Sequence, residues 1–296
     1  MTTATWIRRH SHSLADKTVA ISGATGGIGN ALCHHLAALD AHLILLDRNS
    51  EKSCALIARL QEEYPTLTAE HIRLDLEDVA SVDAAARQLE TRAVDALVLN
   101  AGAYHIPRHT CATGYNNVFQ INFVSPYYLA RRLLPRLRER GGRVVAVGSI
   151  AHTYSRTDAA DVDFSTRRAS SKVYGNAKRH LMFALYVLCG EGGVAVTHPG
   201  ITLTNITAHY PKLIFALIKH PMKVLFMSPK RASLSILCGV FEGCEQNEWI
   251  GPRVFNIWGL PKKSRLHTVD AAEAAHIRAV ADEAYEKMST LCAHKQ

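Results

Sequence analysis

The feature that most constrains this chain of 296 residues is a regular alternation of short apolar runs with longer segments whose apolar residues recur every three or four positions. Runs of the first kind are typical of buried strands, and segments of the second kind are typical of helices that cover a sheet. The alternation predicts strands at 18–22, 42–47, 70–74, 94–99, 143–148, 193–198 and 252–257. It predicts helices at 27–39, 51–63, 78–91, 115–139, 171–190, 229–243 and 269–290.

Seven apolar strands separated by helices indicate an α/β fold, a doubly wound parallel sheet of Rossmann type. Because no internal repeat or long linker interrupts the pattern, we expect residues 1–296 to form a single domain. The alternation breaks at 203–228, an apolar segment that begins just after a strand. Ligands of doubly wound sheets lie beyond the carboxyl ends of the strands, so this segment is predicted to be a substrate lid. A peripheral helix pair and a basic membrane contact through Lys212, Lys219 and Lys223 are the alternatives.

Composition and charge exclude several classes of protein. With 48 % apolar and 20 % charged residues, the chain is not a disordered one. Its longest apolar runs are far shorter than the roughly 20 residues that cross a bilayer, and no secretory signal follows the basic residues 8–12. We therefore expect a cytoplasmic protein, with membrane-surface contact only as the lesser alternative.

Metal and nucleic-acid sites are not expected either. The seven cysteines contain no C-x-x-C pair and the 16 histidines form no H-x-x-x-H pair with a carboxylate in order. The net charge of +8 suits a phosphate-bearing cofactor, an acidic membrane or nucleic acid, and does not decide among them. Arg131, Arg132 and the basic residues 136–140 lie on one predicted helix without stacking aromatics, so no nucleic-acid module is indicated.

A glycine-rich loop joins the first strand to the first predicted helix of the alternation. Small residues there permit a tight turn, and the N-terminus of the helix offers a seat for a pyrophosphate. The spacing Gly23-x-x-x-Gly27-x-Gly29 differs from the common G-x-G-x-x-G fingerprint. The candidate cofactor-binding residues of the loop are Ser22, Gly23, Thr25, Gly27, Ile28 and Gly29.

Asp47 ends the second strand, 18 residues after Gly29 and close to the ~20 expected of an acid that binds a ribose 2′-hydroxyl. A 2′-phosphate would be repelled by this carboxylate by several kcal/mol if poorly screened, although Arg48 could relieve the clash. The sequence therefore favours NAD, with NADP as the alternative. An ordinary turn at the end of the strand is the other interpretation of Asp47.

Two further strand ends are candidates for cofactor contacts. Asp75 and Leu76 follow the third strand, where an acid can hydrogen-bond an adenine amino group. Asn100, Ala101 and Gly102 follow the fourth, where small residues let backbone lie along a cofactor. Each set alone is also typical of a turn.

Together with Asn122, Ser149, Tyr174-x-x-x-Lys178 and Pro199-Gly200, these motifs resemble the short-chain dehydrogenase/reductase family, in the family's order over residues 18 to about 260. The resemblance implies an enzyme that interconverts an alcohol and its carbonyl compound by hydride transfer with NAD(P). It implies that Tyr174 exchanges a proton with the substrate oxygen and that Ser149 hydrogen-bonds that oxygen. Lys178 is implied to hold the ribose, and Asn122 to anchor a water.

The resemblance carries two further expectations. Thr202 or Thr204, after Pro199 and Gly200, is implied to bind the nicotinamide carboxamide. Helices 115–139 and 171–190 are implied to form subunit contacts, which predicts a homodimer or a homotetramer.

Tyr174 and Lys178 emerge one helical turn apart on the same face. At about 5 Å and an effective dielectric constant near 20, their attraction amounts to roughly 3 kcal/mol, or about two pKa units. We therefore expect the phenol pKa to fall from about 10 to about 8, as suits a general acid–base group.

The spacing between two of these motifs departs from the family pattern. Ser149 and Tyr174 are 25 positions apart, about twice the usual gap. Such an insert resembles retinol-dehydrogenase-like members and, with the apolar segment 203–228, favours a small lipophilic substrate: a steroid, retinoid, fatty or aryl alcohol or its carbonyl compound. A non-catalytic dinucleotide sensor or scaffold of the same fold is the alternative. His105 and His152 are candidates to line the pocket, whereas His198 is expected to be structural.

Overall fold

The computed structural model describes residues 1–202, 226–267 and 269–293. Its strands are β1 (Thr18–Ser22), β2 (His42–Asp47), β3 (Ala69–Arg73), β4 (Ala96–Leu99), β5 (Arg143–Val147), β6 (Val194–Thr197), β7 (Glu248–Val254) and β8 (Trp258–Arg265). They form one sheet in the order β3-β2-β1-β4-β5-β6-β7-β8. All neighbouring pairs from β3 to β7 are parallel, and β8 is antiparallel to β7. The predicted doubly wound α/β fold is confirmed.

The helices are α1 (Thr3–His10), α2 (Gly27–Ala37), α3 (Ser50–Glu63), α4 (Val79–Glu90), α5 (Asn117–Phe119), α6 (Ser125–Glu139), α7 (Ser170–Cys189), α8 (Pro229–Phe241) and α9 (Ala271–Ala293). A π-helical turn, Gln120–Val124, joins α5 to α6, and a 3₁₀ turn, Ile150–Thr153, follows β5. Helices α2 and α8 contact each other, as do α4, α6, α7 and α9, so two helical layers cover the sheet. None of the described helices combines the length and apolar composition that a membrane span requires.

Local signals explain where several helices begin. Asn49 caps α3 by accepting the N–H of Lys52 at 2.8 Å, and Asp78 caps α4 by accepting the N–H of Ala80 at 3.0 Å. The π-helical turn precedes Pro126, which has no N–H to donate to the regular helical ladder. The helix predicted at 115–139 is therefore interrupted inside its first turns.

Two elements were missed and one was displaced. Helix α1 and strand β8 were not predicted, and the strand predicted at 252–257 runs instead from Glu248 to Val254. Strand β8 contains Pro261 and four cationic or hydroxyl side chains, the composition of an edge strand rather than of an apolar run. The expected periodicity is therefore absent at this edge of the sheet.

The last helix packs across the helices from which subunit contacts were expected. Arg131 of α6 forms an ion pair with Asp282 at 2.7 Å, and its guanidinium lies 4.0 Å from the centre of the Tyr285 ring. Gln120 contacts the sulfur of Met288 at 3.5 Å. Part of this surface is thus covered within one chain, and a homo-oligomer stays a prediction.

The predicted lid cannot be compared with the fold over most of its length. Its residues 203–225, including Thr204, lie outside the described residues. At the two ends of this gap, Thr202 and Met227 pair in a parallel bridge.

Candidate active site

The carboxyl ends of β1 and β4 are joined by the hydroxyl of Ser22. This hydroxyl donates to the Val98 carbonyl at 3.3 Å and accepts the N–H groups of Asn100 and Ala101, each at 3.1 Å. The side-chain amide of Asn100 returns two bonds of 3.0 Å, to the carbonyls of Ser22 and Gly23. The predicted glycine loop and the Asn100–Gly102 segment are therefore one hydrogen-bonded unit.

Two glycines of this loop are required by close packing. Gly23 has a left-handed φ of 69°, and a Cβ there would lie 2.9 Å from the Cα of Ala101. A Cβ on Gly29 would lie 2.2 Å from the Gly23 carbonyl oxygen. Only glycine fits at these two positions, so the loop packs closely on itself and on the segment after β4.

The N-terminus of α2 fits a phosphate. Gly26 is the N-cap residue, and no side chain caps the first turn of this helix. Its N–H groups therefore point from the positive end of the helix dipole without a side-chain acceptor. This arrangement, with the bare backbone of the loop, suits the pyrophosphate of a dinucleotide.

Asp47 has a structural role besides the predicted one. Its carboxylate accepts the hydroxyls of Thr25 at 3.0 Å and Ser53 at 3.2 Å, so it ties the glycine loop to the first turn of α3. The carboxylate is buried, whereas the neighbouring Arg48 is exposed. The turn interpretation and the ribose interpretation of Asp47 are compatible, because a carboxylate accepts several hydrogen bonds.

The next strand end makes mostly local contacts. Asp75 accepts the N–H of Glu77 at 3.1 Å in a turn, and its own N–H donates to Ser81 at 2.9 Å. Leu76 is buried, and its carbonyl accepts the hydroxyl of Ser125 at 2.6 Å. A contact of Asp75 or Leu76 with adenine stays a prediction.

Asn122 lies in the π-helical turn and holds the segment after β4. Its amide nitrogen donates to the carbonyls of Ala103 and Val118, both at 2.8 Å, and its oxygen accepts the N–H of Ala103 at 3.2 Å. Both amide protons are therefore used by backbone. In the structure the Asn122 side chain fixes the backbone at Ala103 and Val118, and its role in anchoring a water stays a prediction.

Lys178 is almost fully buried at the same place. Its ammonium donates to the Val147 carbonyl at 2.9 Å, and a Cβ on Gly102 would lie 3.5 Å from it and 2.7 Å from the Asn122 oxygen. Burial lowers the pKa of Lys178 to about 8. The motifs after β4, β5 and in α7 therefore converge on one small volume.

Tyr174 stands beside Lys178 and is partly buried. Burial raises its pKa to about 12, although a hydrogen bond with Ser149 acts in the opposite direction. The pKa of the phenol is therefore shifted in the direction opposite to the expected fall, because burial is the largest effect acting on it. The Lys178 nitrogen lies 5.7 Å from the centre of the Tyr174 ring and bonds to Val147. At neutral pH the phenol is thus protonated beside a positive charge, which suits a proton donor.

The far side of the candidate site is formed after β6. Gly200 has a φ of 78°, and a Cβ there would lie 2.5 Å from the Ile257 carbonyl oxygen. Pro199 and Thr202 are buried. The structure therefore places Pro199 and Gly200 against the β7–β8 hairpin, and it does not test which threonine binds a carboxamide.

The three histidines singled out in the sequence have different surroundings. His105 is exposed and bonds to the Ser170 hydroxyl at 3.1 Å. His198 is buried and stacks on Trp249 with ring centres 5.1 Å apart, as expected of a structural residue. His152 is also buried and meets the edge of the same tryptophan, so it faces the core rather than the pocket.

An ion pair near Ser149, between Arg179 and Glu273, was not predicted from the sequence. We call this pair the clamp. The guanidinium of Arg179 donates to both carboxylate oxygens of Glu273, at 2.7 and 2.6 Å, and to the His152 carbonyl at 3.0 Å. The His152 ring donates in turn from Nδ1 to the Ser149 carbonyl at 2.6 Å. The N-terminal turn of α9 thereby fixes the turn that carries Ser149, although no sequence signal links Glu273 to Arg179 across 94 positions.

Among the described residues, Glu77, His109 and Cys111 form one group whose donor atoms lie within 4.8 Å of one another. The two ring nitrogens of His109 are already engaged, with Glu77 at 2.9 Å and with the amide of Asn117 at 3.2 Å. Since that amide nitrogen can only donate, Nε2 carries the ring proton and faces Glu77. The group is thus hydrogen-bonded as it stands.

Comparison with known proteins finds a matching family model and related sequences. A family model described as short chain dehydrogenase matches residues 17–211. Two Aspergillus short chain dehydrogenases are 37% and 35% identical over 155 and 158 residues, 48% of this chain but only 42% and 44% of theirs. This chain therefore spans less than half the length of these relatives. Retinol dehydrogenase 12 of Mus musculus is 28% identical over 238 residues, 77% of this chain and 75% of that protein.

Solved structures share the fold. An uncharacterised protein from Mycobacterium paratuberculosis superposes with a TM-score of 0.70 and 24% identity, over 93% of this chain and 95% of that one. Pseudomonas aeruginosa RhlG in an active-site complex with NADP superposes with a TM-score of 0.57 and 25% identity, over 76% and 90% of the two chains. The doubly wound sheet is therefore shared over most of the chain.

Replacing Lys178 by Met should change how stability depends on pH. The folded pKa of about 8 lies below the ordinary 10.5, so burial of the charge destabilises the fold below pH 8 and this penalty disappears above 10.5. Relative to K178M, the unfolding free energy of the wild type should rise by about 3 kcal/mol between those limits. Urea unfolding of both proteins across this range measures the difference, and a constant difference would contradict the buried charge.

Replacing Glu273 by Gln should loosen the clamp. The substitution keeps the shape but leaves the Arg179 charge buried without its partner, which we expect to cost about 3 kcal/mol of unfolding free energy. Deuterium exchange of the amides at 149–157 should become faster. Glu286→Gln, on the exposed side of the same helix, is the matched control and should change neither quantity. Equal exchange in the two variants would show that Ser149 does not depend on the clamp.

Proposed function

The chain belongs to the short-chain dehydrogenase family, and we propose on that basis that it is an NAD(P)-dependent oxidoreductase that interconverts an alcohol and its carbonyl compound. The observation that carries the proposal is the convergence of Ser149, Tyr174 and Lys178 at the carboxyl edge of the sheet. Lys178 contacts Val147 of β5 and lies near Gly102 after β4, and Tyr174 of α7 is hydrogen-bonded to Ser149. In doubly wound folds this edge is where ligands bind.

The nucleotide would lie across the ends of β1 and β4. The glycine loop and the uncapped first turn of α2 would hold its pyrophosphate, and the backbone at 100–102 would run beside its nicotinamide half. A bound nicotinamide supplies the hydride acceptor or donor. Lys178, whose ammonium faces Gly102, would bind the ribose hydroxyls on that half.

Tyr174 is proposed as the group that moves the proton. In reduction, its hydroxyl gives a proton to the substrate oxygen, and in oxidation it takes that proton back. Lys178 stabilises the phenolate that forms, because opposite charges favour the ionised state of the phenol. Ser149, already bonded to Tyr174, hydrogen-bonds the same oxygen and stabilises its developing charge.

A lipophilic substrate is proposed, of the steroid, retinoid, fatty or aryl alcohol class. Tyr104 and Tyr174 meet edge to face with ring centres 5.4 Å apart, which gives the site an aromatic wall. A relative of similar sequence is named as a retinol dehydrogenase. An apolar substrate body is the partner that such a wall binds best.

NAD is proposed as the favoured nucleotide and NADP as the alternative. The buried Asp47 carboxylate would repel a 2′-phosphate, whereas the exposed Arg48 would attract one only through solvent. RhlG is described in complex with NADP, so the choice has to be measured on this chain. A cytoplasmic location likewise stays a prediction.

Tyr174→Phe should slow turnover strongly while the nucleotide still binds. We expect the rate of nicotinamide reduction with a panel of lipophilic alcohols to fall by about 10²- to 10⁴-fold. Tyr154→Phe is the matched control, because Tyr154 is half exposed on the same insert and should leave the rate unchanged. A Tyr174→Phe protein as fast as the wild type would refute the proton-transfer role. Nucleotide binding by the wild type without turnover of any substrate would support the non-catalytic sensor instead.

Asp47→Asn should relax the choice of nucleotide. The amide keeps an acceptor for Thr25 but removes the charge that opposes a 2′-phosphate, so the ratio of the Kd for NADP to that for NAD should fall by about tenfold. Titration calorimetry with both nucleotides measures the ratio, and the exposed Asp40→Asn serves as control. An unchanged ratio in Asp47→Asn would place the selectivity elsewhere.

A further inference from the structure

The turn between β7 and β8 exposes an apolar tip. Its members are Val254, Phe255, Ile257 and Trp258, whose exposed fractions are 39%, 88%, 37% and 41%. We call these four residues the hairpin tip. Single exposed apolar residues are common on protein surfaces, but four within five positions form a patch.

The backbone conformation at the tip disfavours the aromatic residue that stands there. Phe255 and Asn256 both have left-handed φ angles, 50° and 56°. Tight hairpin turns with two such residues favour Asn, Asp or Gly, and a bulky residue there is an outlier. Asn256 follows this rule and Phe255 does not. A large aromatic ring thus occupies the most exposed position of the hairpin tip, where the backbone conformation disfavours it.

Two cations lie beside the tip, Arg253 of β7 and Arg231 of α8. The sequence from 249 to 269 contains no Asp or Glu but four Lys or Arg residues, at positions 253, 262, 263 and 265. Of these, Lys263 forms an ion pair with Glu242 at 3.2 Å. Arg231 of α8 adds a further positive charge, 4.5 Å above the ring of Trp258. Lys262, Lys263 and Arg265 lie farther along β8, opposite Gly251, Ile250 and Glu248, so the apolar tip is flanked by Arg253 and Arg231.

We propose that the hairpin tip docks on an anionic lipid surface. Phe255 enters the boundary between headgroups and acyl chains, Trp258 lies at headgroup depth, and Arg253 and Arg231 meet the phosphates. Exposed aromatics with flanking cations are the combination that binds such an interface. The charge complementarity selects a lipid surface over a second copy of this basic chain.

The position of the tip relates docking to the candidate active site. The Ile257 carbonyl accepts the N–H of Ile201 at 3.3 Å and limits the space at Gly200, at the end of β6. Docking would therefore bring the β6 end of the candidate active site close to the bilayer, where a lipophilic alcohol is dissolved. This last step rests on the proposed function, whereas lipid binding itself does not.

Vesicle binding tests the proposal without turnover. The full chain is centrifuged with vesicles of phosphatidylcholine alone and with vesicles of phosphatidylcholine and phosphatidylglycerol in equal amounts. Binding should occur with the anionic vesicles and weaken as salt is raised. Trp6 and Trp249 are buried and Trp258 is exposed, so a blue shift of tryptophan fluorescence on binding reports the tip.

Phe255→Asn separates docking from folding. Asn favours the left-handed turn, so the variant should be at least as stable as the wild type, yet its partition onto anionic vesicles should fall about tenfold. Val187→Asn, which removes another half-exposed apolar side chain on α7, is the matched control and should bind like the wild type.

Four outcomes would overturn the proposal. They are no vesicle binding by the wild type, equal binding by Phe255→Asn and Val187→Asn, binding without a fluorescence shift, and self-association in sedimentation that Phe255→Asn abolishes. The last would identify a second copy of the chain as the occupant. If vesicles bind as expected but no alcohol is turned over, the proposed reaction fails and the docking surface remains.

Discussion

A buried ammonium is the constraint on which the rest of the site depends. Lys178 loses its water almost completely and receives one carbonyl, that of Val147, in exchange. A buried charge is tolerated only where hydrogen bonds or an opposite charge compensate for its lost hydration. The hydrogen bonds of Ser22, Asn100 and Asn122 hold the strand ends and the Asn100–Gly102 segment around it, so the polar residues of the site also keep its backbone in place.

Two acidic residues expected to contact a nucleotide also order the loops that would bind it. Asp47 fixes the glycine loop through Thr25, and Asp75 makes its own turn. A loop that is already ordered loses little entropy when a ligand arrives. The structural and the binding interpretations of these acids are for this reason complementary.

Patterns that depend on local spacing were predictable, and contacts between distant segments were not. The alternation of strands and helices, the glycine loop and the turn between Tyr174 and Lys178 follow from periodicity and short motifs. The phenol pKa was expected to move in the wrong direction, because spacing along a helix contains no information on burial. Strand β8 was missed because an edge strand with Pro261, two lysines and an arginine has no apolar period. The Glu273–Arg179 pair could not be inferred, since nothing in the sequence of either helix indicates the other.

That pair has a consequence for the order in which the molecule becomes competent during its synthesis. Chains are made from the N-terminus, and early segments can begin to fold before later ones exist. Strands β1 to β6 and α7 are translated well before Glu273, so Arg179 has no carboxylate partner while the chain is still being made. The turn that carries Ser149 gains this support only when the final helix arrives and packs on α4, α6 and α7.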